Sequence, residues 1–141
     1  DTDNIILVGS PRWDQDVQLP AEDPITGFKN LMYTMHFYAG THKQWLRDRT
    51  DAAIAKGLPI FISESAGMDA TGDGKLDDDE WNKYFSWMQE KKLSWITWSV
   101  SDKDESCSVL RKSASGDGNW TDKDLKESGL KTKAYLKRIK Q

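Results

Sequence analysis

Apolar positions along the chain gather into four nearly continuous, β-rich runs: Ile5–Val8, Leu31–Tyr38, Pro59–Ser63 and Trp95–Val100. A strand with one wet face alternates polar and apolar residues. An unbroken run predicts a parallel strand covered on both faces. Helical periodicity fills the spaces between and after them. One helix is expected from Thr41 or His42 to Lys56, with Thr41 as N-cap and Gly57 as the C′ stop. A second runs from Asp77 to Lys91 or Lys92. Its Trp81, Tyr84, Phe85 and Met88 fall at i, i+3, i+4 and i+7, an apolar stripe. Asp77, Asp78, Asp79 and Glu80 suit the positive end of its dipole. Ser128 is expected to cap a last helix, with Leu130, Ala134, Leu136 and Ile139 inward. The stretch after Val8 holds Pro11, Pro20, Pro24 and Gly27, and reads as a long loop with at most a short helix.

This is a βαβαβα order, so the fold class is α/β. A (β/α)8 barrel needs eight strands in about 250 residues. Four βα units in 141 residues make half of one. A doubly wound sheet is the alternative, but no Gly-rich phosphate turn follows any strand, and Gly9 has no companion glycines.

Composition narrows the function. The chain is 37% hydrophobic and 30% charged, one ordinary domain with room for a core. A net charge of -3, with Lys and Arg dispersed, gives no reason to expect nucleic acid or an anionic membrane as partner. No apolar stretch reaches membrane-spanning length, and no signal peptide is read, although a mature or excised chain would also lack one. The single cysteine, Cys107, excludes an intrachain disulfide framework. Seven Trp residues are many for this length and suit a surface that stacks on flat ligands such as sugars.

In barrels, function collects where strands end. The first strand leads through Gly9–Arg12 to Trp13. The second ends in His36-Phe37-Tyr38. The third ends on Glu64, a carboxylate closing an apolar run, which must be paired or useful. The fourth carries Trp98, followed by Ser99, Ser101, Asp102, Lys103 and Glu105. Trp faces stack on pyranose rings, charged groups bind hydroxyls, and a carboxylate beside an anomeric carbon can act as nucleophile. Each residue also has an ordinary reading: Glu64 as a cap or ion pair, His36 as a structural histidine, Tyr38 and Trp98 as packing. Their placement on successive strand ends favours a site. Trp95 and Trp98 are not expected to face alike. Trp45, Trp81 and Trp87 lie on helices and read as packing; Trp120, in a Gly/Asp-rich loop, is open.

A competing motif spans 69–80. Asp69, Asp73, Asp77 and Glu80 occupy positions 1, 5, 9 and 12 of an EF-hand loop, with Gly74 at 6 and Leu76 at 8. Thr71 at position 3 is weaker than Asp or Asn, and the strand ending at Glu64 leaves no room for the preceding helix. The other reading is a βα loop with an acidic helix start. A calcium-binding or non-catalytic carbohydrate-binding module is therefore the alternative function.

These strand ends resemble glycoside hydrolase family 5, the cellulase-type (β/α)8 retaining glycosidases, close to bacterial endo-β-1,4-glucanases. The matching stretches are 6–17, 30–39, 57–64, 70–74 and 95–103. The His-x-Tyr strand end followed by a Glu strand end carries the likeness. The resemblance implies that Glu64 is the nucleophile, that Tyr38 hydrogen-bonds it, and that His36 helps hold substrate and the catalytic pair. Trp98 would stack in the −1 region, Trp13 would serve the leaving-group side, and Lys103 and Glu105 would bind outer glucosyl hydroxyls. No cofactor and no metal are expected; a similar acidic, Gly-rich loop after Glu64 belongs to the family pattern and does not imply calcium. Two departures stand out. Ser65-Ala66 follows Glu64 where the family usually has Trp-Gly, which alters the wall of the site. No Asn-Glu pair supplies the acid/base of strand four. By the family's strand count the chain is strands five to eight, the C-terminal half of the barrel with the N-terminal half absent. The expected partners are a β-1,4-glucan and either the N-terminal half or a second copy closing a pseudo-barrel. The resemblance further implies a secreted or cell-surface protein.

Overall fold

The computed structural model describes residues 3–139. Four strands form one sheet in the order β1 (Ile6–Val8), β2 (Leu31–Tyr38), β3 (Ile60–Ala66) and β4 (Ser94–Trp95). Every neighbouring pair is parallel. Strands consecutive in sequence and adjacent in space need a crossover each. The first holds α1 (Pro11–Asp14) and α2 (Gln18–Glu22), the second α3 (Gln44–Ala55), the third α4 (Asp78–Glu90). A last helix, α5 (Glu127–Ile139), follows β4. The α/β class and the four βα units are as the apolar pattern indicates.

Alternation along β2 divides the molecule into two sides. Met35 and Phe37 are fully buried under the helices, while Thr34, His36 and Tyr38 point to the opposite face. Phe37 stacks on Tyr84 of α4 with ring centroids 3.8 Å apart. Phe85 stacks on Tyr135 of α5 at 4.1 Å, and Trp81 meets Tyr135 edge-on. Such pairs add about 0.5–1.5 kcal/mol each beyond the area they bury. The expected stripe of α4, Trp81, Tyr84, Phe85 and Met88, is therefore the centre of the core. Asp77 caps this helix by accepting from the Glu80 N–H.

Several boundaries differ from expectation. The fourth strand pairs only at Ser94–Trp95, not to Val100. Beyond it the Ser65 hydroxyl takes the Ile96 carbonyl at 2.7 Å, an acceptor that ladder pairing would use. The third strand runs past Ser63 to Ala66, so Glu64 lies inside it. Helix α3 starts at Gln44 with Lys43 as N-cap, not at Thr41. Thr41 Oγ1 instead accepts from the Ala70 N–H, and the His42 ring accepts from the Tyr38 N–H, so both side chains serve neighbouring segments. Gly57 does hold the left-handed φ of a helix stop, +87°.

The last helix is turned relative to the expected face. Leu130, Ala134, Leu136 and Ile139 are exposed. Ser128, Gly129, Thr132 and Tyr135 are buried. Ser128 does not act as the cap; its hydroxyl donates to the Ser108 carbonyl at 2.8 Å. Gly129 sets the face, because a Cβ there would lie 2.4 Å from the Val109 carbonyl oxygen.

Both outer edges of the sheet lack a partner strand among the described residues. Ile5, Ile6 and Leu7 on one side, and Ile96, Trp98 and Val100 on the other, are exposed. No described helix is long and apolar enough to cross a membrane.

Gly129→Ala separates two forces. Helix propensity alone would stabilise by about 1 kcal/mol. The backbone clash with Val109 is expected to win and destabilise by about 1–3 kcal/mol, read as a lower urea midpoint at unchanged slope.

Candidate active site

The polar face of β2 and the end of β3 open onto a cavity of about 550 Å³. Its walls are Trp13, Asp14, Gln15, His36, Tyr38, Thr41, His42, Glu64 and Ala70. Glu64 arrives there through an irregularity. Met35 pairs with Ile62, but the next residue, His36, pairs with Glu64, so Ser63 is an extra residue in β3. Strict alternation would send Ser63 and Glu64 to opposite faces. A bulge lets both reach the same side. Ser63 Oγ lies 2.8 Å from His36 Nε2, and Glu64 Oε2 lies 3.7 Å from His36 Nδ1.

Tyr38 donates its hydroxyl to Glu64 Oε1 at 2.5 Å. Burial, and then this bond to a carboxylate, push the Tyr38 pKa upward, so its proton stays in place. A donor that cannot ionise fixes one carboxylate oxygen and leaves the other facing the cavity. Trp13 stands at the rim, 80% exposed. It is carried by α1, where Arg12, Trp13 and Asp14 all hold left-handed φ of +55°, +52° and +61°. Non-glycine residues pay roughly 1–2 kcal/mol each for that conformation. The turn is held by Asp14, whose Oδ1 accepts from the Ser10 N–H at 2.5 Å and from the Thr34 hydroxyl.

A partly buried carboxylate, oriented by a tyrosine beside a histidine and under an exposed indole, is the furniture of sugar chemistry. The family model for cellulase (glycosyl hydrolase family 5) matches residues 1–104. This chain belongs to glycosyl hydrolase family 5. An endoglucanase from Clostridium saccharobutylicum is 45% identical over 136 residues, 96% of this chain and 30% of that protein. A solved structure from Cytophaga hutchinsonii superposes with a TM-score of 0.94 at 39% identity, over 99% of this chain and 45% of that one. The catalytic domain of the Thermobifida fusca endoglucanase Cel5A, solved in complex with cellotetraose, gives 0.87 at 29% identity over 96% and 46%. The chain thus spans less than half the length of these relatives. Family 5 (β/α)8 cellulases are among the solved neighbours, and the four parallel units correspond to the second half of such a barrel, strands five to eight.

Within this family 5 chain, Glu64, His36, Tyr38 and Trp13 are brought to one cavity; Trp98, Lys103 and Glu105 lie outside its walls. Trp98 is half-exposed on the far side of β3, its backbone N–H donating to the Ser65 carbonyl at 2.9 Å. Its peptide bond to Ser99 is cis. Trp95 meets Phe85 edge-on, so the two tryptophans do face differently. Glu105 takes a contact from the Cys107 thiol at 3.6 Å and lies close enough to Tyr38 to add to its pKa rise. Lys103 is exposed, and its carbonyl accepts from Lys126. Trp81 and Trp87 are core, but Trp45 is half-exposed beneath Arg49. Trp120 is exposed, its indole N–H donating to the Ser115 carbonyl.

The 69–80 loop does not gather its carboxylates. Asp73 accepts from Ser106, Asp77 caps α4 and pairs with Lys43, and Glu80 pairs with Arg47 and Lys83. No group of three or more potential metal-ligating side chains occurs among the described residues. These contacts are those of an acidic βα loop leading into α4.

Three site residues escape sequence reasoning: Asp14, Ser63 and His42. Ser63 acts through the bulge, which has no sequence marker. His42 is buried at the end of β2, and its Nδ1 accepts from the Tyr38 N–H at 2.8 Å.

Burial lowers the His42 pKa below its ordinary value. The folded state therefore binds fewer protons than the unfolded chain, and stability is full above about pH 6.5 and lost as pH falls through the folded value. His42→Gln, which retains an acceptor for Tyr38, is expected to flatten the loss of unfolding free energy between roughly pH 7 and 5. An unchanged slope would remove His42 from the pH dependence.

Proposed function

We propose that this chain is part of a retaining endo-β-1,4-glucanase, with Glu64 as the nucleophile. The observation that carries the reading is the Tyr38 to Glu64 hydrogen bond at the cavity floor, with Trp13 above it. Tyr38 holds one carboxylate oxygen of Glu64 and turns the other toward the position of an anomeric carbon. Glu64 attacks that carbon while a second carboxylic acid protonates the departing glycosidic oxygen. Water, activated by the same second group, then releases the sugar from Glu64. Trp13 stacks on the leaving-group side. Trp98 stacks on the sugar in the −1 region, and Lys103 and Glu105 bind the hydroxyls of outer glucosyl units. His36 helps hold substrate and the catalytic pair.

We assign the acid/base to an N-terminal half of the barrel, since no Asn-Glu pair occurs in this chain. The exposed apolar residues on both sheet edges support a need for that half, or for a second copy in its place. The chain alone is then inactive. A polymeric glucan acts outside cells, which supports a secreted or cell-surface protein.

The test is turnover of a soluble β-1,4-glucan by the complete barrel, made by supplying strands one to four. Glu64→Gln is expected to lower kcat by about 10³-fold or more with the fold intact. Turnover that survives this change would remove Glu64 from the nucleophile role.

A further inference from the structure

Asp14 is a second carboxylate in the cavity, and the reaction above gives it no part. Its Oδ1 is committed to the Ser10 N–H and the Thr34 hydroxyl, which close the left-handed turn onto β2. Its Oδ2 faces His36, 3.3 Å from Nε2. On the other side of the ring, Nδ1 lies 3.7 Å from Glu64 Oε2. A neutral imidazole has one N–H and one lone pair. A lone pair facing a carboxylate oxygen is repelled, so the two carboxylates compete for the one proton. Asp14 is nearer, and Ser63 Oγ at 2.8 Å from the same nitrogen can accept the N–H as well. Asp14 and Ser63, both on the Nε2 side, favour a proton on Nε2. Nδ1 keeps its lone pair toward Glu64, so His36 gives Glu64 no hydrogen bond. A carboxylate with one donor rather than two is the stronger nucleophile.

We propose that Asp14 is a positioning residue with two effects: it keeps the His36 proton off Glu64, and it anchors the turn that presents Trp13 at the cavity rim. Only its effect on rate rests on the glucanase reading. The tautomer and the platform stand on the contacts alone.

The experiment uses the complete barrel and two variants. Asp14→Asn keeps an amide oxygen for Ser10 and Thr34 but presents an NH₂ donor to His36 Nε2. Nitrogen-15 NMR, at a pH where the ring is neutral, distinguishes ring N–H from bare nitrogen. The wild type is expected to show His36 protonated on Nε2, and Asp14→Asn on Nδ1. Cellotetraose binding should stay within about twofold of wild type, while kcat falls about tenfold. Asp14→Ala removes the anchor too, and is expected to weaken cellotetraose binding as much as Trp13→Ala does. If Asp14→Ala does not fold, the Asn variant decides. The same His36 tautomer in wild type and Asp14→Asn, with unchanged kcat, overturns the proposal. A tautomer that switches as expected in a barrel that hydrolyses no glucan refutes the glucanase reading and upholds the role of Asp14.

Discussion

One extra residue in one strand brings the candidate site together. Between Met35 and His36 the pairing of β2 with β3 slips, and Ser63 becomes the surplus. Without that slip, alternation would put Glu64 on the face opposite Ser63, and the Ile60–Ile62 pattern would fix that face as the buried one. With it, Ser63 and Glu64 both meet His36, and Tyr38, two residues along the same face of β2, meets Glu64. The core pins the slip in place. Ile62 and Met35, the last pair before it, are fully buried, and Phe37 just after it is stacked on Tyr84. Sliding the register back would expose those side chains or bury a carboxylate among them, each costing more than one bulge.

The same arrangement explains which parts were legible in the sequence. Unbroken apolar runs mark the strands, even at the sheet edges where Ile6, Leu7 and Ile96 are exposed, so the α/β class and the element order are plain. Helix α4 is plain too, because its core residues are large and spaced at 3.6. The Glu64 carboxylate is visible because it breaks an apolar run, although β3 continues past it to Ala66, and His36 and Tyr38 are visible because their spacing of two puts them on one face.

What was hidden is made of small residues and backbone. Helix α5 packs through Gly129 and Ser128, which approach the Val109 and Ser108 carbonyls, so the leucines that a periodicity rule turns inward face out. The bulge leaves no mark in composition. Asp14 gains its position from a turn in which three non-glycine residues hold positive φ, a conformation that no residue preference announces. Past Trp95 the chain still donates from Ile96 and Trp98 to the Ile62 and Ser65 carbonyls, while the Ser65 hydroxyl caps the Ile96 carbonyl, contacts that no residue preference announces.

Membership of glycosyl hydrolase family 5 and the exposed apolar edges of the sheet are the two observations on which the proposed function rests. Its central claim is that Glu64 forms a covalent bond to sugar. The most direct measurement is mass spectrometry of the complete barrel after reaction with a 2-deoxy-2-fluoro cellobioside bearing a good leaving group. The slowed second step should leave one cellobiosyl unit attached, and peptide mapping should place it on Glu64. No adduct during active turnover, or an adduct on another carboxylate, would contradict the account.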